Sequence, residues 1–179
     1  MPITFHPLGD DDLATMHRWL NDPEVVEWWE GDDVTWGGVV HDYSPKREPD
    51  GVEHWIASLD DRPIGWISCG DVARWAEESA AWTALGADPR PAGIDYLIGD
   101  RADRGHGLGQ QMIDAFVRTV VFGPRSSWTQ VGADPYTANA RSWGALARAG
   151  FRRAGTYGVG SEECTLMLLD RVRPDLEVH

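Results

Sequence analysis

The sequence has one lysine, Lys46, two cysteines and no long apolar run. Cys69 and Cys164 lie far apart, and neither belongs to a CxxC pair of the metal-binding or redox type. We therefore expect both to be reduced residues on strands. The histidines show no ligand spacing, so we predict no metal site.

Membrane and secretion signals are also lacking. A membrane span needs roughly 18 to 20 apolar residues, and the run from Phe116 to Phe122 is short and interrupted by Arg118. The segment from Met1 to Asp12 has no basic start followed by an apolar stretch. We expect a cytoplasmic protein that binds no membrane.

Basic residues are scarce relative to acidic ones. The chain has 16 Lys and Arg against 29 Asp and Glu, a formal net charge of -13. Such a field repels nucleic acid and attracts cations. Acidic surfaces also serve solubility, so the charge alone leaves open whether a cationic substrate binds.

The 179 residues suit one domain, 1–179, with a frayed tail after about residue 170. Alternating apolar patterns predict a mixed α/β fold, antiparallel first and crossover-linked later. The predicted strands are 3–7, 53–59, 63–69, 93–98, 127–132, 151–159 and 162–169. The predicted helices are 10–20, 107–121 and 137–149, with a weak one at 32–43. The segment from Gly70 to Ala92 shows no period and predicts a long surface loop.

The run from Arg104 to Gly109 lies between a predicted strand and a predicted helix. Its glycines allow a ligand close to the backbone, and the helix start offers unpaired N–H groups to a phosphate. The run lacks the Lys-Ser/Thr ending of a nucleotide triphosphate loop, and its spacing is not that of a dinucleotide fingerprint. It predicts a pyrophosphate-binding turn.

This run resembles the Gln/Arg-x-x-Gly-x-Gly/Ala coenzyme A loop of the GNAT superfamily of N-acetyltransferases, through Arg104, Gly107 and Gly109. A second likeness lies further along the chain. Asn139 and the pair Gly150 and Phe151 resemble the family's helix with an asparagine and the Gly-Phe pair that leads into the next strand. The resemblance implies acetyl-CoA as cofactor and a mixed, mostly antiparallel sheet of about six to seven strands flanked by about four helices. The cofactor-binding residues that it implies are Tyr96, Leu97, Ile98, Arg104, Gly105, His106, Gly107, Leu108, Gly109, Gln110 and Asn139.

Within that superfamily the chain looks most like aminoglycoside 6′-N-acetyltransferases. The runs Glu27-Trp28-Trp29 and Gly93-Ile94-Asp95 carry this likeness, together with Asp134 and Pro135. It implies a small polycationic acceptor. We expect the protein to be a monomer or a homodimer. The predicted substrate-binding residues are Glu27, Trp28, Trp29, Glu30, Glu78, Trp82, Asp95 and Asp134.

The chemistry points to carboxylates independently of the family. An amine is mostly protonated at neutral pH, so the site must accept a proton and hold a cation. Asp95, on a strand leading into the glycine loop, is the predicted general base, and Asp134 the predicted amine ligand. The alternatives are a solvated strand-end carboxylate for Asp95, a turn opener for Asp134 and core packing for the tryptophans.

A proton donor for the departing thiolate is harder to assign. Many members of the family carry a tyrosine where this chain has Leu146, five residues before Phe151. Tyr157 is the predicted catalytic substitute, with Tyr136 or water as alternatives.

These features predict an acetyl-CoA-dependent N-acetyltransferase acting on an aminoglycoside, most simply on its 6′-amine. A siderophore-type acyltransferase is the enzymatic alternative, although its relatives tend to have a histidine on the strand that carries Asp95. A module that binds acyl-CoA or an aminoglycoside without turnover is the third.

Overall fold

The computed structural model describes residues 2–29, 32–47, 50–124 and 126–172. The strands are β1 (Ile3–Pro7), β2 (Val52–Leu59), β3 (Arg62–Asp71), β4 (Ala92–Ile98), β5 (Gln130–Ala133), β6 (Arg152–Val159) and β7 (Glu162–Asp170). The α-helices are α1 (Leu13–Leu20), α2 (Pro23–Val26), α3 (Trp36–Tyr43), α4 (Ala76–Ala84), α5 (Leu108–Phe116) and α6 (Ala140–Arg148). No helix among these residues is long and apolar enough to cross a membrane.

The chain forms two compact units, and the first contains the described residues of 1–70 and 94–116. In it β1 pairs antiparallel with β2 and β2 with β3, followed by β4. Asp60 and Asp61 form the β2–β3 turn with positive φ, a conformation that aspartate tolerates better than most residues. The core of this unit packs α1 and α3 against the strands through residues such as Met16, Val39 and Ile56.

The second unit contains the described residues of 71–93 and 117–179. Its strands β5 and β6 both pair antiparallel with β7, and the start of β4 pairs parallel with β5 through Ala92 and Val131. Its core includes Val72, Leu166 and Leu168. The prediction of a mixed, mostly antiparallel sheet is confirmed. The described residues form seven strands, and six α-helices where about four were expected.

The predicted surface loop from Gly70 to Ala92 is wrong, because it contains α4. Alanines have the highest helix propensity, and Glu77 and Glu78 in the first turn favour the positive end of the helix dipole. The amphipathic period is missing because Trp82 is the one buried residue of this helix. A single indole leaves no repeating apolar stripe for the sequence to display.

Helix α6 begins at Ala140, three residues after its predicted start at 137, and ends at Arg148, one residue before its predicted end at 149. The Asn139 side chain accepts a hydrogen bond from the Ser142 N–H at 3.2 Å, which caps the first turn. Gly150 follows the helix with φ of 96°, the left-handed conformation that glycine adopts without strain. The predicted frayed tail falls largely on residues 173–179, outside the described residues.

Candidate active site

The predicted pyrophosphate loop joins β4 to α5 in the first unit. The predicted loop is the run from Arg104 to Gly109, and the connection that contains it starts after β4 at Gly99, where a Cβ would lie 2.0 Å from the Trp19 ring, so only glycine fits. Gly105 and Gly107 have φ of 80° and 79° and are exposed. Helix α5 begins at Leu108, directly after this turn. The loop therefore offers bare backbone and a helix N-terminus, the arrangement that suits a phosphate.

Arg104 is largely buried, with 14% of its side chain exposed, and its guanidinium turns inward rather than toward solvent. It donates to the carbonyl oxygens of Ile98 (3.1 Å) and Gly99. It also pairs with the carboxylates of Asp22 (2.8 Å) and Glu24 (3.3 Å). The motif arginine therefore ties the loop to the start of α2, and its guanidinium is engaged by protein oxygens.

Asp95 lies on β4 between the buried residues Ile94 and Leu97, and it is exposed. Its charge is felt by Tyr43 of α3, whose pKa is raised first by burial and then by the carboxylates of Asp32, Asp95 and Asp42. A hydrogen bond from the Trp29 side chain to Tyr43 opposes that rise. The predicted base thus lies in an electronegative part of the first unit.

Aromatic rings pack against one another in the same unit. Trp29 meets Trp66 edge-on at 6.0 Å, Tyr43 meets Trp66 at 5.6 Å, and His54 stacks on Trp66 at 5.5 Å. Trp28 is half-buried and Glu27 is exposed, whereas Glu30 lies outside the described residues. The sequence did not single out Tyr43 or His54, because neither lies in a motif and only the fold brings them to Trp66.

In the second unit the predicted amine ligand Asp134 follows β5. Its Oδ2 accepts a hydrogen bond from Trp82 Nε1 at 3.1 Å and a second, short one from the Tyr157 hydroxyl. Trp82 Nε1 also donates to the Tyr157 oxygen at 3.1 Å. Burial raises the pKa of Asp134, while these two donors act in the opposite direction. The sequence singled out Asp134, Trp82 and Tyr157 as site residues, but it did not predict that their side chains are in contact.

Trp82 does not present a face to a substrate, contrary to prediction. It is 1% exposed and packs on Gly132, where an added Cβ would lie 2.5 Å from a ring carbon. Its buried ring supports Asp134 from within the core. Glu78, one turn earlier on α4, is half-buried, and its charge raises the pKa of Tyr157.

Two further predicted positions have structural roles. Asn139, predicted to bind the cofactor, caps α6 with its side-chain oxygen. Leu146, at the position where many family members have tyrosine, is fully buried. Leucine has no proton to donate, so position 146 cannot supply the proton that the family's tyrosine would provide.

Comparison with known proteins agrees with these features. Residues 9–158 match the family model of the acetyltransferase (GNAT) domain. The sequence is 32% identical over 161 residues to an aminoglycoside N(6′)-acetyltransferase type 1 of Klebsiella pneumoniae, covering 86% of this chain and 76% of that protein.

Solved structures give the same result. AAC(6′)-Ib in complex with Parmomycin and acetyl-CoA has a TM-score of 0.82 and 29% identity, covering 96% of this chain and 94% of that one. The same aminoglycoside acetyltransferase with coenzyme A and kanamycin has a TM-score of 0.79 and 28% identity, covering 94% and 95%.

Proposed function

The chain belongs to the acetyltransferase (GNAT) domain family, and on that premise we propose that it transfers the acetyl group of acetyl-CoA to the 6′-amine of an aminoglycoside. One observation carries the proposal: a glycine loop opening a helix follows directly on the strand that holds an exposed carboxylate, Asp95. The named activities of the similar proteins supply the acceptor class.

The loop fits a pyrophosphate. The exposed, positive-φ glycines Gly105 and Gly107 allow close approach, and the N–H groups from Leu108 to Gln110 begin α5. Tyr96, Leu97 and Ile98 at the end of β4 would bind the pantetheine arm through their backbone. When bound, acetyl-CoA supplies an activated thioester carbonyl.

Asp95 acts as the general base. It accepts a proton from the acceptor ammonium, directly or through one water, so that the neutral nitrogen can form a bond to the acetyl carbon. The backbone N–H near Leu97 donates to the acetyl oxygen as negative charge develops there. The carbon–sulfur bond would then break, the nitrogen would lose its second proton to water, and the thiolate would take up one proton, so the products are the amide and free coenzyme A.

Acidic and aromatic side chains recognise the acceptor. Glu27 is exposed and Trp29 lies beside the Tyr43 hydroxyl in the first unit, where Asp95 adds negative charge. Carboxylates pair with protonated amines, and aromatic faces attract cations. In the second unit Asp134 is the amine ligand.

Water supplies the proton to the thiolate. Leu146 is apolar and buried, and the Tyr157 hydroxyl donates to Asp134. A thiol has a pKa of about 8.5, so the released thiolate needs no strong acid at neutral pH.

We also propose a cytoplasmic location and a monomeric or homodimeric state. Cys69 and Cys164 are both free and buried, which suits a reducing compartment.

The proposed activity is tested by thiol release from acetyl-CoA with kanamycin, tobramycin, amikacin, gentamicin and apramycin as acceptors. We expect release with at least one of them, and none with an analogue of that acceptor whose 6′-amine is replaced by hydroxyl. Acetyl-CoA binding without thiol release would support the non-catalytic alternative and overturn the proposal.

Replacing the predicted base provides the second test. Asp95→Asn should lower kcat/KM by about 100-fold, the range for losing a general base, while acetyl-CoA affinity stays unchanged. Asp61→Asn is the matched control, because it makes the same charge change in the exposed β2–β3 turn, where asparagine tolerates positive φ. An Asp95→Asn enzyme as active as that control would remove Asp95 from the mechanism.

A further inference from the structure

The Asp134 carboxylate in the second unit is held by two neighbouring side chains at one oxygen. Tyr157 Oη and Trp82 Nε1 both donate to Oδ2, and Trp82 Nε1 and Tyr157 Oη are 3.1 Å apart. Because both anchors converge on Oδ2, a bound ammonium group would be taken by Oδ1. We propose that Tyr157, together with Trp82, is a positioning residue that fixes Asp134 for binding an acceptor amine.

The support under the carboxylate is rigid. Trp82 is 1% exposed and belongs to the same core cluster as Leu168. It packs so closely on Gly132 that no residue larger than glycine fits at that position. Tyr157 lies on β6 opposite Cys164 of β7, in the part of the antiparallel pairing that runs from Gly155 to Val159. A carboxylate held by a core indole and a strand tyrosine keeps one orientation, which suits recognition of a specific amine.

The two donors also favour the charged form of Asp134. Burial favours the neutral acid and raises the pKa of Asp134, whereas hydrogen bonds from Tyr157 and Trp82 favour the carboxylate. The other titratable groups around them are Glu78 on α4 and Glu162, Glu163 and Cys164 on β7. Burial opposes the two donors at Asp134, so the loss of either donor should raise its pKa further.

The same contacts argue against Tyr157 as the general acid. Its proton is donated to Asp134, and burial and the Asp134 charge raise the pKa of Tyr157 above its ordinary value. A proton held between these groups is poorly available to a leaving thiolate. The inference rests on the proposed function and assigns Tyr157 to acceptor binding within it.

Tyr157→Phe in the full-length protein is the test, with kcat and KM for the acceptor measured across pH. We expect the acceptor KM to rise about tenfold or more, as for a lost hydrogen bond to a charged group, with kcat within about twofold. The acid limb of kcat/KM should move to higher pH, because Asp134 protonates more readily without the hydroxyl. Trp82→Phe should shift the acid limb in the same direction.

Two further comparisons separate positioning from folding. Trp143→Phe is the matched control, since it removes another indole donor, to the Thr137 carbonyl, in the same unit. It should leave the acid limb unmoved. In an Asp134→Asn background, Tyr157→Phe should cause no further rise in acceptor KM, because the two residues act through one carboxylate.

Three outcomes would overturn the inference. A fall in kcat with unchanged KM and a lost alkaline limb would identify Tyr157 as a proton donor. An active wild type with an unchanged Tyr157→Phe profile would make the tyrosine a packing residue only. If the wild type releases no thiol with any aminoglycoside, the proposed function fails, and this inference fails with it.

Discussion

His54, a residue outside every motif, lies within the aromatic cluster of the first unit. It stacks on Trp66 at 5.5 Å and meets Tyr43 edge-on at 5.2 Å. Neither ring nitrogen has a hydrogen-bond partner among the described residues. Burial, followed by the charge of Arg47, lowers the pKa of His54 to about 4. The imidazole is therefore neutral at neutral pH and acts as an aromatic packing group.

Stability should depend on pH through this residue. The unfolded chain binds a proton at His54 below about pH 6.5, but the folded chain resists it until about pH 4. The stabilisation is therefore complete above pH 6.5 and is lost as pH falls toward 4. At that pH the lost free energy of unfolding is on the order of 3 kcal/mol or less.

Chemical denaturation of His54→Phe at several pH values measures this contribution. The variant keeps a stacked ring and removes the titrating group. Between pH 6.5 and pH 4 the wild type should therefore lose more unfolding free energy than the variant does. Parallel stability curves for the two proteins over that range would contradict the expected burial of a neutral imidazole.

At the scale of single elements, Asn139 caps α6 and is also predicted to bind acetyl-CoA. Asn139→Ala removes the hydrogen bond to the Ser142 N–H and should cost about 1 kcal/mol of unfolding free energy. Asn139→Asp keeps the cap and should retain most of that stability. Thermal unfolding of both variants checks this expectation.

Acetyl-CoA affinity of the same two variants tests whether Asn139 also holds the cofactor. If its role is only capping, Asn139→Asp should bind acetyl-CoA as the wild type does. A clear loss of affinity in a stable Asn139→Asp protein would instead support the cofactor contact implied by the family resemblance.

Most elements could be predicted because their signals are local. Strand-like runs with short connections mark the hairpins of β2–β3 and β6–β7, and Gly150 marks the end of α6. Helix α4 could not be predicted, because its burial depends on one indole packing against Gly132, which is distant in sequence. Only the folded chain contains that contact.

The candidate site divides in the same way. The loop from Gly99 to Gly107 and Asp95 beside it follow from a motif and its neighbours in the chain. The contact among Trp82, Asp134 and Tyr157 joins three separate elements, so no spacing in the sequence indicates it. The inward turn of the Arg104 side chain likewise depends on Asp22 and Glu24, far away in sequence.

At the scale of the whole molecule, the net charge of -13 should set the salt dependence of activity. Salt screens attraction between exposed charges, with a Debye length of about 10 Å at 0.1 M and about 3 Å at 1 M. The KM for a polycationic aminoglycoside should therefore rise several-fold as salt increases.

The KM for acetyl-CoA provides the internal control in the same titration. Coenzyme A is an anion, so screening of the protein's negative field should leave its KM unchanged or lower it. If both constants rose together, salt would be acting on the fold or on catalysis, and the electrostatic explanation would be wrong.

The buried guanidinium of Arg104 has a consequence for how this sequence can change over evolution. It neutralises Asp22 and Glu24 and fills the carbonyl acceptors of Ile98 and Gly99. A lineage that replaced Arg104 with glutamine would remove the cation that Asp22 and Glu24 share, and Glu24 would keep only its ion pair with Arg101. Positions 22, 24 and 104 should therefore be inherited as a set. Arg104 is 82 residues from Asp22 and 80 from Glu24 in the sequence, and only Arg104 belongs to the motif.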